Sequence, residues 1–145
     1  MVVLAGLQGL GQGGYGGGIA LFKPVAGGDD GAWARLFGSA EHEIAILAYS
    51  ALFLAEDTGI LRILADKGRA GVTVRIALGD PEGPNVAERG KEEGISDAMA
   101  AKIRNALALY WPLGAVENIE IRLHRTVLYN SIYRADDQFL VNQHT

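Results

Sequence analysis

Glu41-His-Glu-Ile-Ala-Ile-Leu-Ala-Tyr49, followed after one helix by Val72-Thr-Val-Arg-Ile-Ala-Leu78, is the stretch on which the fold turns. The first run is apolar and reads as a strand entering a core. Glu56-Asp57-Thr58 then supplies capping side chains for a helix over about Gly59–Ala70, with Ile60, Leu61, Ile63 and Leu64 as its apolar stripe. Gly71 ends that helix, and the second run is a buried strand closed by Gly79-Asp80-Pro81. Strand, helix and strand with short joints make a right-handed βαβ unit, and therefore a parallel pair.

Working outward, Asp29 and Asp30 cap a short helix around Ala32–Ser39 that buries Trp33, Leu36 and Phe37. Downstream of Pro84 the reading is a charged helical segment near Val86–Glu93, then a strong helix over about Ser96–Tyr110. Met99, Ile103, Leu107 and Tyr110 recur every three or four residues and mark its core face. Pro112 and Gly114 end it. Ile119–His124 is a third strand, with Ile119, Ile121 and Leu123 on one face and Glu120, Arg122 and His124 on the other. Val127–Tyr133 and Gln138–Asn142 read as a hairpin turned by Ala135-Asp136-Asp137. The sequence stops just after that last strand, so an incomplete or edge-exposed C-terminus is expected.

Residues 1–28 have a different texture, with 10 of the 20 glycines. Gly9-Leu-Gly11-Gln-Gly-Gly14 formally matches G-x-G-x-x-G after the strand-like Val2-Val-Leu-Ala5. A dinucleotide site needs that loop to open a helix, and Tyr15-Gly-Gly-Gly18 is too costly in backbone entropy to do so. A flexible lead-in is expected there, with an extended segment over Ile19–Val25. The domain proper is 29–145, an α/β fold with a mixed, largely parallel sheet flanked by helices.

Composition narrows the classes of function. Apolar residues make up 49% and charged residues 21%, as in globular domains. The net charge of −4 does not indicate a nucleic-acid binder, which usually presents a basic face. The absence of cysteine removes disulfides, thiolate zinc sites and cysteine nucleophiles, and fits a cytoplasmic location. The first 22 residues are uncharged, but eight are glycine and no basic n-region precedes them, so neither a membrane span nor a secretory signal is read there.

Five segments carry a family resemblance. Ile63–Ile76 has a helix ending in Lys67-Gly-Arg-Ala-Gly71-Val, re-entering the sheet. Phe53-Leu-Ala-Glu-Asp57 and Leu78-Gly-Asp-Pro81 bracket it. His124-Arg-Thr-Val-Leu-Tyr-Asn-Ser131 is then followed by Asp136-Asp137-Gln-Phe-Leu-Val-Asn142. Together they resemble a phospholipase D-like domain, similar to that at the C-terminal end of actinobacterial helix-turn-helix regulators, over the span from Trp33 onward. The Gly-rich lead-in stands in place of the helix-turn-helix. The resemblance implies an H-x-K-x4-D motif in which His124 attacks phosphorus, with active members pairing two motifs in one chain or across a dimer. A neutral imidazole suits that step, and a neighbouring lysine would neutralise phosphate oxygens. Here Thr126 stands where the lysine belongs and Ser131 where the aspartate belongs, with acids arriving later at Asp136 and Asp137.

The candidate catalytic set is therefore His124, Asn130, Asp136 and Asn142. Arg134 and Arg122 share the parity of His124 and are expected to replace part of the missing charge. Ser50 and Asp80 end parallel strands at their carboxyl ends, where α/β sheets open a ligand crevice. With Arg104, Asn105, Thr126, Arg134 and His144 they form the candidate ligand-binding set, and Lys102 lies beside Asn105 on the same helix. His124, Asp136 and His144 are too dispersed to define a metal site, and no cofactor is expected. Two functions follow. The first is a non-catalytic phospholipase D-like sensing module that binds a phosphate-containing small molecule or a second copy of itself, as part of a transcriptional regulator. The second is a homodimeric phosphodiesterase or nuclease with His124 as nucleophile.

Overall fold

The computed structural model describes residues 31–87 and 97–142 and the backbone of 2–5, 21–24 and 143. In chain order the elements are β1 (Val2–Ala5), β2 (Leu21–Pro24), α1 (Gly31–Gly38), β3 (Glu43–Leu47), α2 (Leu52–Ala55), α3 (Thr58–Arg69), β4 (Thr73–Gly79), α4 (Ala98–Tyr110), β5 (Ile119–His124), β6 (Asn130–Ala135) and β7 (Gln138–Gln143). A 3-10 turn, Trp111–Ala115, follows α4. Residues 84–87 are helical; the rest of the charged helical segment expected to Glu93, the Gly9–Gly14 match and His144 lie outside the described residues. Among the described residues no helix is long and apolar enough to cross a membrane.

The sheet runs in the order β2-β1-β7-β6-β3-β4-β5. The βαβ unit forms as expected: β3 and β4 are parallel with Ile44 opposite Val74 and Ile46 opposite Ile76, and α3 crosses between them. Asp57 caps α3, accepting the N–H groups of Gly59 at 2.9 Å and Ile60 at 3.2 Å. Gly71, at φ +100°, ends its C-terminal turn. The sheet is less parallel than expected. Only β3, β4 and β5 pair parallel, and the other four neighbouring pairs are antiparallel. The cause is connectivity, since β6 and β7 are joined by a turn too short for a crossover. Nor is the last strand an edge, because β7 has β6 on one side and β1 on the other.

Period-2 alternation sends Ile44, Ile46, Val74, Ile76, Tyr133 and Leu140 to one buried face. Helices α1 and α3 pack there. Trp33 meets Tyr133 edge-to-face with ring centroids 4.7 Å apart, and Phe53 of α2 meets the same tyrosine at 5.9 Å. Burial pushes the Tyr133 hydroxyl up to about 12, with a hydrogen bond from Ser131 acting the other way. α3 lies so close to β5 that a Cβ on Gly68 would sit 2.7 Å from the Glu117 carbonyl oxygen and 2.7 Å from Ile119 Cγ1.

At the opposite end from the candidate site, the β6–β7 turn is tied to the start of β3. Asp136, at φ +54°, occupies the left-handed region that aspartate tolerates better than most residues. Its carboxylate accepts the backbone N–H groups of Glu41 at 2.8 Å and of His42 and Glu43 at 2.9 Å each. Its own N–H donates to the Glu43 carbonyl at 2.9 Å. Partial burial raises the carboxyl pKa, but the N–H donors of Glu41 and His42, with the nearby charges of His42 and Arg134, outweigh it and hold it below the ordinary value.

Two outcomes are expected. Asp136→Ala should lose about 1–3 kcal/mol in urea unfolding at neutral pH, from three charge-assisted bonds. Because the folded pKa is the lower one, this stabilisation is complete above the ordinary carboxylate range and fades as pH falls through the folded value. The gap between wild type and variant should therefore close in acid. Gly68→Ala should destabilise by about 1–3 kcal/mol in the same measurement, the clash outweighing the gain of about 1 kcal/mol in helix propensity.

Candidate functional site

The carboxyl ends of β3 and β4 open into a loop system in which polar side chains are spent on one another. Asp80, just after β4, accepts the Glu82 N–H at 2.9 Å and the Arg125 Nε at 2.9 Å. Those two contacts, the backbone donor first, hold its carboxyl below the ordinary value. Asn85 donates its side-chain amide to the Arg125 carbonyl. The Tyr49 hydroxyl accepts the Leu128 N–H at 2.9 Å. Residues 127–129, expected to begin the hairpin, belong instead to a pinned loop over 125–129, and β6 starts at Asn130.

His124 ends β5 and reaches across the end of β4. Its Nε2 lies 2.9 Å from the Ala48 carbonyl oxygen, and its Nδ1 accepts the Thr126 N–H at 3.1 Å. A carbonyl only accepts and an N–H only donates, so the pair assigns the uncharged ring as the Nε2–H tautomer. Both ring nitrogens are thus engaged by backbone. Thr126, the residue in the place of the motif's lysine, contributes its main-chain N–H to that arrangement, and its side chain is exposed.

The nearby concavity is a separate place. A cleft of about 540 Å³ opens between the ends of β3, β6 and β7 and the helices α2 and α4, lined by Tyr49, Ser50, Glu56, Lys102, Ser131 and Asn142 among others. This volume falls within the usual range for small-ligand sites, roughly 300–1,000 Å³. Ala51, at φ +46°, makes the sharp turn from β3 into α2 that presents Ser50 to the cleft. The Tyr110 hydroxyl holds the turn by donating to the Ala51 carbonyl at 2.7 Å, and burial raises that hydroxyl's pKa. Ser50 is only 8% exposed, and its hydroxyl has no hydrogen-bond partner among the described residues. Such a buried hydroxyl typically costs about 1–3 kcal/mol unless something bonds to it. The Lys102 ammonium and the Asn142 amide likewise have no protein partner among the described residues.

The sequence-derived candidates therefore divide. Ser50 and Asn142 meet in the cleft, joined by Lys102 and Ser131. His124, Thr126, Asp80 and Asn130 sit at the same end of the sheet but outside the cleft lining. Asp136 and Arg134 are at the far end, which corrects their placement beside His124. Thr73 is opposite Glu43, where Asp136 binds, whereas Gly79 is opposite His124. Six strand residues separate these positions, about 20 Å. Arg134 is engaged there, with the Asp136 carbonyl at 2.6 Å, the Glu43 carboxylate and the Phe139 ring. Arg122 pairs with Glu120 on β5 rather than approaching His124. Arg104 and Asn105 lie on the exposed side of α4, away from Met99, Ile103 and Tyr110. Lys102, read in the sequence only as a neighbour of Asn105, is the charged α4 residue that reaches the cleft. Its signal was its place one turn after Met99 on the core-facing helix. Among the described residues no three His, Asp or Glu side chains come together to hold a metal ion.

No protein-family model, curated protein or solved structure matches this chain. The likeness to phospholipase D-like domains stays a resemblance carried by the quoted segments.

The tautomer is directly measurable. Long-range 1H–15N correlation spectra should show His124 protonated at Nε2 with a pyridine-like Nδ1 shift. His124→Ala should lower stability by about 1–3 kcal/mol, because the Ala48 carbonyl and Thr126 N–H both lose their partner.

Proposed function

We propose that this chain is a non-catalytic binding module that holds a small phosphate-bearing molecule in the Ser50–Lys102–Asn142 cleft, as a phospholipase D-like sensor domain of a transcriptional regulator would. The observation that carries this reading is the convergence on one cavity of Lys102, Asn142 and, above all, the buried Ser50 hydroxyl, none of which has a partner among the described residues. Lys102 supplies a positive charge for an anion, while Ser50 and Asn142 supply donors of fixed position. Glu56 on the same rim would repel a bare anion and accept from a donor group. A phosphate monoester that also carries a hydroxyl or amine meets both requirements. The alternative, a phosphodiesterase using His124, is weakened by the backbone bonds at both of that ring's nitrogens. An attacking imidazole needs one nitrogen free toward phosphorus.

Phosphoethanolamine and glycerol phosphate, titrated into the full chain, should shift the amide resonances of Ser50, Lys102, Ser131 and Asn142. Lys102→Ala should weaken binding by roughly tenfold or more, the usual worth of a charge-assisted hydrogen bond. The reading fails if neither probe perturbs these residues, or if Lys102→Ala binds as tightly as wild type. Hydrolysis of bis(p-nitrophenyl) phosphate that disappears in His124→Ala would establish the enzyme instead.

A further inference from the structure

Among the described residues β5 is the terminal strand of the sheet, hydrogen-bonded to β4 on one side only. Its backbone polarity is set by that pairing. The Asn118 and His124 carbonyls accept from Val74 and Asp80 at 2.8 Å each, so the even-numbered residues direct their main-chain groups toward β4. In a parallel ladder the odd-numbered residues then direct theirs outward, which leaves Ile121 and Leu123 with N–H and C=O groups at the edge, and Ile119 with its C=O. The Ile119 N–H turns back to Val116. An edge of this kind is a ready template for another strand, and proteins ordinarily guard it with charge.

The charges here have an order that suits one partner. Glu120 and Arg122 stand two residues apart on one face of β5, paired with each other and largely exposed. Ile119, Ile121 and Leu123 occupy the opposite face. An antiparallel copy of β5 related by a two-fold axis through Ile121 would place Glu120 opposite the partner's Arg122, and Arg122 opposite the partner's Glu120. Ile119 would face the partner's Leu123. The outward main-chain groups agree with that register, because Ile121 and its symmetry mate form a hydrogen-bonded pair. The two charged pairs then fall at the close, non-hydrogen-bonded positions where side chains approach best.

The apolar side of the edge is also incomplete. Leu123 is 50% exposed and Trp111 69% exposed. Trp111, Pro112 and Gly114 form a groove of about 520 Å³ against Ile119 and Ile121. The partner's Leu123, opposite Ile119, would lie at that groove. We infer that the β5 edge is a self-association surface, at which two copies of this chain join their sheets antiparallel about Ile121. This is independent of what the cleft binds.

Sedimentation equilibrium of the full chain should show a dimer. Glu120→Arg and Arg122→Glu should each weaken it by about tenfold or more, since each places like charges opposite one another twice. Three results then distinguish edge pairing from a general loss of stability. The double exchange Glu120→Arg/Arg122→Glu should restore the dimer, and an equimolar mixture of the two single variants should form a heterodimer. Oxidised Ile121→Cys should cross-link chain to chain, because a hydrogen-bonded antiparallel pair has Cα atoms about 5.5 Å apart, within disulfide reach, and the chain has no other cysteine. A monomer at high micromolar concentration would overturn the proposal. So would a dimer that neither charge reversal weakens, or a double exchange that stays monomeric while circular dichroism shows it folded.

Discussion

The carboxylate of Asp136 organises the sheet more than its place in a two-residue turn suggests. By accepting three successive N–H groups at Glu41–Glu43, it fastens the tip of the C-terminal hairpin to the entry of β3. Register follows from that contact, since Ile44 then faces Ala135 and Ile46 faces Tyr133. A slip of one residue would turn Tyr133 away from Trp33 and Phe53 and send it to the other face. The aromatic cluster therefore depends on an electrostatic contact at the end of the strands. An aspartate that resembles a displaced catalytic acid in the sequence is in fact a structural clamp.

His124 shows the same shift from chemistry to structure. The imidazole bridges β3 to the loop after β5 across the end of β4, with neither nitrogen left over. The loop it supports is further held by Tyr49, Asp80 and Asn85. The open polar cavity lies on the other side of β4, two strands from β5, where Ser50 turns off β3 through a left-handed alanine. The hydrogen-bonded loop thus lies on one side of β4, and Ser50, Lys102 and Asn142, without partners among the described residues, lie on the other.

Elements governed by local pattern were legible in the sequence. The α3 cap at Asp57, the stop at Gly71 and the span of β5 follow from spacing and residue type within a few positions of each other. What could not be read depends on distant partners. The segment 125–129 looks like a strand because Val127, Leu128 and Tyr129 favour one, and it is a loop because Tyr49 and Asn85 hold its main chain. Arg134 shares the parity of His124 along the chain, yet β6 runs antiparallel to β3 and carries it to the other end of the sheet. Parity is informative within a strand and silent across a turn. Of the site, Ser50 is legible from a strand end and Asn142 from the segment that carries the family resemblance; Lys102 needs the packing of α4 to stand out.

The central position of β6 also dictates when the domain can exist during synthesis. β3 emerges early, but its second neighbour lies about ninety positions later in the chain, and β7 must arrive before β1 gains the partner it has in the finished sheet. A nascent chain with everything through β5 holds the βαβ unit with one side of β3 unpaired and Ile44, Ile46 and Trp33 short of their aromatic cover. Contacts of such long sequence separation make folding slow and leave the incomplete sheet prone to association. The β6–β7 hairpin, residues 130–143, therefore completes the core as much as any helix does, and a chain interrupted before it lacks both β3's second neighbour and the Tyr133 cover of Trp33.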